Sequence, residues 1–129
     1  MKSKYIDVKE KWGIVLCYDL MRKDVREMRA LMESLGMVDE EIDEALRILL
    51  YHPNTGMCIS NSALRMSLVF IGEATSEDQW WDTVAHEVLD HAKWAICMYY
   101  NVEFGGEDSA WLTGYLMRKL VQQIAPPCK

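Results

Sequence analysis

From about residue 77 to residue 100 the chain reads as one helix with scarcely a polar side. Ser76-Glu77-Asp78-Gln79 has the form of a capping box at its start. Gly105-Gly106 breaks the chain after it. Trp81, Val84, Ala85, Val88, Leu89, Ala92, Ala95, Ile96 and Tyr99 fill most of its circumference. A helix apolar nearly all round is a buried one, so the other elements must wrap it. Ionisable groups on such a helix must be paired, metal-bound or neutralised.

The wrapping elements follow from periodicity. Residues 5–20 read as strand material, centred on the β-branched and aromatic run Trp12–Tyr18. Residues 20–36 follow helical spacing, with Met21, Val25, Met28, Leu31, Met32 and Leu35 on one face and Gly36 as the stop. Asp39 opens a second helix, with acids on its positive end and Ile42, Ala45, Leu46, Leu49 and Leu50 on its apolar face. His52-Pro53-Asn54-Thr55-Gly56 is a break. Two strand-like segments follow, 57–61 and 64–71, and Asn61-Ser62 suggests a hairpin between them. A last helix spans about 107–124, before Pro126-Pro127. The order is β, α, α, β, β, α, α. It predicts an α+β fold: a small antiparallel sheet with helices packed on one face. One domain over 1–129 is expected, with 1–4 and 125–129 as disordered tails.

Composition excludes some functions. An apolar fraction of 50% and a charged fraction of 26% are those of an ordinary globular domain. A net charge of −6 argues against a nucleic-acid groove and against anionic membrane surfaces. No apolar run is long enough for a membrane span, and the first residues lack a signal-peptide core, so a cytoplasmic protein is expected. Cys17, Cys58, Cys97 and Cys128 are scattered without CxxC pairing, which favours free thiols over a four-cysteine zinc site.

The long helix also carries chemistry. Thr83-Val-Ala-His86-Glu87-Val-Leu-Asp90-His91-Ala comes within one residue of His-Glu-x-x-His. On an α-helix with His86 at zero, Asp90 lies about 40° round, Glu87 about 100° and His91 about 140°. Cys97 falls on the same stripe about three turns away, too far to be a ligand. His86, Asp90 and Lys93 could equally form a satisfied polar network. Glu107 opens the next helix after the Gly-Gly turn, with Trp111 and Gly114 on its face. A fold-back antiparallel to the first helix could carry Glu107 towards His86 and Asp90. Of Trp80-Trp81, one ring should enter the core and the other could cover the site or a partner surface.

These two segments resemble the small gluzincin-type zinc peptidases of phages and prophages. The likeness rests on Thr83-Val84-Ala85-His86-Glu87 and on Glu107-Asp108-Ser109-Ala110-Trp111-Leu112-Thr113-Gly114-Tyr115-Leu116. It covers roughly residues 54–124. It implies a zincin-like active-site helix followed by an antiparallel Glu-bearing helix. It further implies His86 and Glu107 as zinc ligands and Glu87 as the general base, with Tyr115 and Trp111 nearby. Asp90 stands where the family has its second histidine. A His86, Asp90 and Glu107 set would be more oxygen-rich and would lean towards manganese or iron. Glu87 with His91 is a second arrangement, and a site without metal is the third. The resemblance implies a metal-dependent hydrolase of peptide bonds, weak or inactive. The alternative is a catalytically dead accessory protein acting by protein–protein binding. A protein or peptide is the expected substrate or partner either way.

Overall fold

The 5–20 stretch forms two strands rather than one. β1 (Lys2–Val8) pairs antiparallel with β2 (Trp12–Tyr18), with Val8 opposite Trp12 and Lys2 opposite Tyr18. Lys9 takes a left-handed φ of 52° in the turn, and Lys11 N–H donates to the Val8 carbonyl at 3.1 Å. A charged turn of this kind lacks the usual Asn-Gly signal for a hairpin. Residues 2–4, expected in a tail, are therefore in a strand. The computed structural model describes residues 1–9 and 11–127. Glu10, Cys128 and Lys129 lie outside the described residues, and with them the Cys128 thiol and the end of the expected C-terminal tail.

After β2 a short turn leads into α1 (Val25–Ser34). Gly36, at φ 91°, ends it as expected: its N–H reaches the Glu33 carbonyl at 2.9 Å, and Met37 N–H reaches that of Met32 at 3.2 Å. α2 (Asp39–Tyr51) follows, then β3 (Gly56–Asn61) and β4 (Met66–Ile71), an antiparallel hairpin. α3 (Glu77–Val84), a π-helical segment (Ala85–Ala92) and α4 (Lys93–Tyr99) form one rod. Ser76 caps it by accepting from Gln79 N–H at 3.1 Å. α5 (Glu107–Gln123) returns along it.

The sheet order is β1-β2-β4-β3, and β2 and β4 pair in parallel. The sheet is thus mixed, not antiparallel. Helices also cover both of its faces, not one. Trp12, Ile14, Leu16, Val69 and Ile71 pack with Val84, Val88 and Ala92 of the rod and Leu116 and Leu120 of α5. Cys17, Leu68 and Phe70, on the other face, pack with Met28 and Met32 of α1 and Ile42, Leu46 and Leu49 of α2. The cause is visible in the central strands. β2 and β4 are apolar at consecutive positions, the pattern of strands buried on both sides.

Two neighbours on β4 test this arrangement. Phe70 and Ile71 point to opposite faces and both are buried. Phe70→Ala should lower unfolding free energy by about 3–5 kcal/mol and Ile71→Ala by about 2–5 kcal/mol. Urea denaturation should show both losses; a near-neutral result at either position would contradict double-sided burial.

Candidate metal centre

The rod changes helical register where its polar groups lie. Over Ala85–Ala92 the helix is π, so backbone bonds run from i to i+5 instead of i+4. The turn is wider than an α-turn, and His91, five residues on, comes back to the face of His86. The imidazole rings of His86 and His91 lie 4.4 Å apart, tilted by 55°. A π turn is an α-turn with one residue added, and His-Glu-Val-Leu-Asp-His is His-Glu-x-x-His with one residue added. The two additions cancel. The α-helical angles expected from sequence are therefore superseded across this segment.

Glu87 lies between the two histidines. His86 Nε2 is 3.9 Å from Glu87 Oε1, and His91 Nδ1 is 3.5 Å from Glu87 Oε2. These separations are too long for hydrogen bonds. Glu87 is 5% exposed, and its Oε2 has no hydrogen-bond partner. Burial pushes its carboxyl above the usual carboxylate range, and His91 and His86 offset part of that rise. The two imidazoles stay about half exposed, so the pair opens to solvent while the carboxylate is covered.

The covering element is β3. Gly56 faces the rod, and a Cβ there would sit 2.6 Å from Thr83 Cγ2 and 2.9 Å from Glu87 Cγ. Glycine is needed at this crossing because the backbone approaches so closely. Cys58 comes next on the same face of β3. It lines a shallow cavity with His91, Ser60, Trp94 and Ala95. Its thiol is pushed up to about 11, first by burial, with a hydrogen bond from Ser60 acting against that and the Glu87 charge adding to it.

One donor atom each from His86, Glu87 and His91 lie within 4.8 Å of one another, so this group could hold a metal ion. Bonds of about 2.1 Å in tetrahedral geometry put donors about 3.4 Å apart. The separations of 3.5 and 3.9 Å, one from each carboxylate oxygen, are near that spacing, and the three donors as a set lie within 4.8 Å. Among the described residues, no group that could hold a metal includes Asp90 or Glu107.

The other expected residues lie elsewhere. Asp90 is exposed. Lys93 turns to α5, where Nζ donates to Thr113 Oγ1 at 3.1 Å. With that bond as the register mark, antiparallel pairing sets Glu107 level with Tyr99. That is roughly 15–20 Å along the rod from His86, by the helical rise. Trp111 is 72% exposed and lines a separate cleft with Asp108, Cys97 and Tyr115. The Tyr115 hydroxyl donates to the Asp7 carbonyl and so ties α5 to β1. Gly114 faces open space and makes no close helix contact. Trp80 is the ring in the core; Trp81 is half-buried and packs edge-on against it, 4.9 Å between centroids. The rod is not buried all round: Trp94 and Met98 are 54% and 61% exposed. The sequence marks Cys58 only as a free thiol and Gly56 only as part of a break, because nothing local announces that β3 crosses the rod at Glu87.

Two outcomes follow. Deleting Asp90 leaves His91 four residues after His86 and removes the added residue of the π turn. The deletion variant should fold with a continuous α-helical rod and bind zinc within about tenfold of the parent, about 1.4 kcal/mol, by competition titration. Inserting alanine after Leu89 should abolish binding instead. The second outcome concerns pH. Glu87 in the folded chelator-treated protein holds its proton to higher pH than in the unfolded chain, so this group makes stability fall as pH rises above about 4.5. Glu87→Gln should then be more stable than the parent near neutral pH, with the difference shrinking as pH drops through that value, read by urea denaturation.

Compared with known proteins, the chain matches no family model, no curated protein and no solved structure. The functional reading therefore rests on the chemistry of these residues.

Proposed function

We propose that this chain is a small metal-dependent hydrolase of peptide bonds, with His86, Glu87 and His91 as the metal donors. The observation that carries the reading is the buried Glu87 carboxylate, with one unpartnered oxygen, held between two imidazole nitrogens. A buried carboxylate without hydrogen bonds is costly, and a cation at its open oxygen removes that cost. Two histidines and one glutamate are the donor types of the gluzincin-type peptidases that the chain resembles, and here His86 keeps its place. His91 replaces Asp90 by way of the π turn, and Glu87 replaces Glu107.

Zinc suits two imidazoles and one carboxylate, and three protein donors leave a position open. When bound, the ion supplies Lewis acidity towards water and the scissile carbonyl. His86 and His91, both half exposed, would hold it, and the buried Glu87 carboxylate would neutralise part of its charge. Glu87 serves here as a donor, so it is not free to remove the proton of an attacking water. A positioned general base contributes about 10²–10⁴-fold, so turnover should be slow by that measure.

Zinc titration with thermal unfolding tests the set. The parent should gain thermal stability with zinc, as a ligand that binds only the folded state requires. His86→Ala, His91→Ala and Glu87→Gln should each lose that gain, along with hydrolysis of an unstructured protein substrate. Asp90→Asn and Glu107→Gln should keep both. Zinc stabilisation that survives His91→Ala but not Asp90→Asn would overturn the assignment.

A further inference from the structure

Cys58 is the group beside this site that the three-donor reading leaves unused. Gly56, Cys58 and Ser60 alternate along the face of β3 that meets the rod. Gly56 touches Thr83 and Glu87, and Ser60 shares a cavity with Trp94 and Ala95. Cys58, between them, shares that cavity with His91. The order along β3 thus follows the order along the rod, and Cys58 neighbours His91 across that cavity while standing outside the three-donor group. The second observation is Glu87 itself: nineteen-twentieths buried, with Oε2 unpartnered, on the same side of the rod.

Behind the thiol runs a chain of donors. Trp12 Nε1 donates to Ser67 Oγ at 3.0 Å. An indole N–H can only donate, so Ser67 is the acceptor there and keeps its own O–H to give. Ser67 Oγ lies 2.7 Å from Ser60 Oγ, and Ser60 Oγ lies 3.8 Å from Cys58 Sγ. Read in that direction, the chain ends with a hydroxyl directed at sulfur. That contact holds the thiol in a disengaged position, and a swing towards His91 gives it up.

We infer that Cys58 is a fourth metal donor, swung in by rotation about its Cα–Cβ bond to close the site formed by His86, Glu87 and His91. The inference rests on the metal reading given above. The sulfur–metal bond forms as the thiol proton leaves to solvent. A thiolate among the donors favours zinc or cobalt over manganese or magnesium. Four protein donors also leave no open position, so hydrolysis requires Cys58 to be disengaged.

Cobalt(II) titration of the full chain, kept reduced, separates this proposal from the reading beneath it. Visible d–d bands report a bound ion; a near-ultraviolet sulfur-to-cobalt band reports a thiolate donor. The expected result is both bands in the parent, with Cys58→Ser keeping the first and losing the second. Visible bands without the sulfur band, or a sulfur band that persists in Cys58→Ser, would overturn the role of Cys58 and leave the three-donor site standing. No visible bands would overturn both. A measurement on the parent guards against a variant that fails to fold. Zinc should slow maleimide labelling of Cys58, mapped by peptide mass, about tenfold or more. Equal rates with and without zinc would also overturn the proposal.

Discussion

The crossing of β3 over the rod at Gly56 governs the rest of the site. Residues Thr83 and Glu87 pack where any larger side chain would collide. That contact takes the Glu87 carboxylate out of water while the neighbouring histidines stay at the surface. A mixed environment of this kind is what a cation site needs: a charge with no better partner, and two imidazoles that can still be reached. The close approach depends in turn on the sheet. β3 is paired with β4 along its whole length, and β4 lies in the double-sided core.

Much of the architecture was legible from residue patterns. The Ser76 cap, the Gly36 stop and the apolar faces of α1 and α2 all come from short-range rules, and they hold except at Met21, which is exposed ahead of α1. The doubled hairpin at the N-terminus was missed because Lys9 and Lys11 flank a turn with no glycine or asparagine. The parallel pairing of β2 with β4 was missed although its signature was present. A strand apolar at successive positions asks for cover on both faces, and one layer of helices cannot give it. Pairing partners are a long-range property, and no local run of residues names them.

The site was half legible. His86, Glu87 and His91 stood out as chemistry-bearing groups, but an α-helical wheel set Asp90 beside His86 and turned His91 away. The wider π turn brings His91 back towards His86. Nothing in Ala85–Ala92 by itself declares the π register; packing of Val84, Val88 and Ala92 on the sheet above and below the polar groups accompanies it. Glu107 stands apart from that group for a different reason. Its place on α5 is fixed by where that helix meets the rod, and Lys93 with Thr113 sets that meeting too far along.

The parallel seam between β2 and β4 bears on how the chain reaches this structure. Val8 and Trp12 close the first hairpin, and Asn61 and Met66 the second, across a handful of residues each. The seam joins Gly13 to Met66 across the whole of α1, α2 and β3. Loop-closure entropy alone makes that pairing about 2 kcal/mol harder to form than either hairpin. The two hairpins can therefore zip early and independently, and the slow event is their docking edge to edge. Trp12, Ile14 and Leu16 reach the rod only through that event. The π turn, with its poorer hydrogen-bond geometry, is braced by β3 and β4, the second hairpin, and so need not wait for the seam.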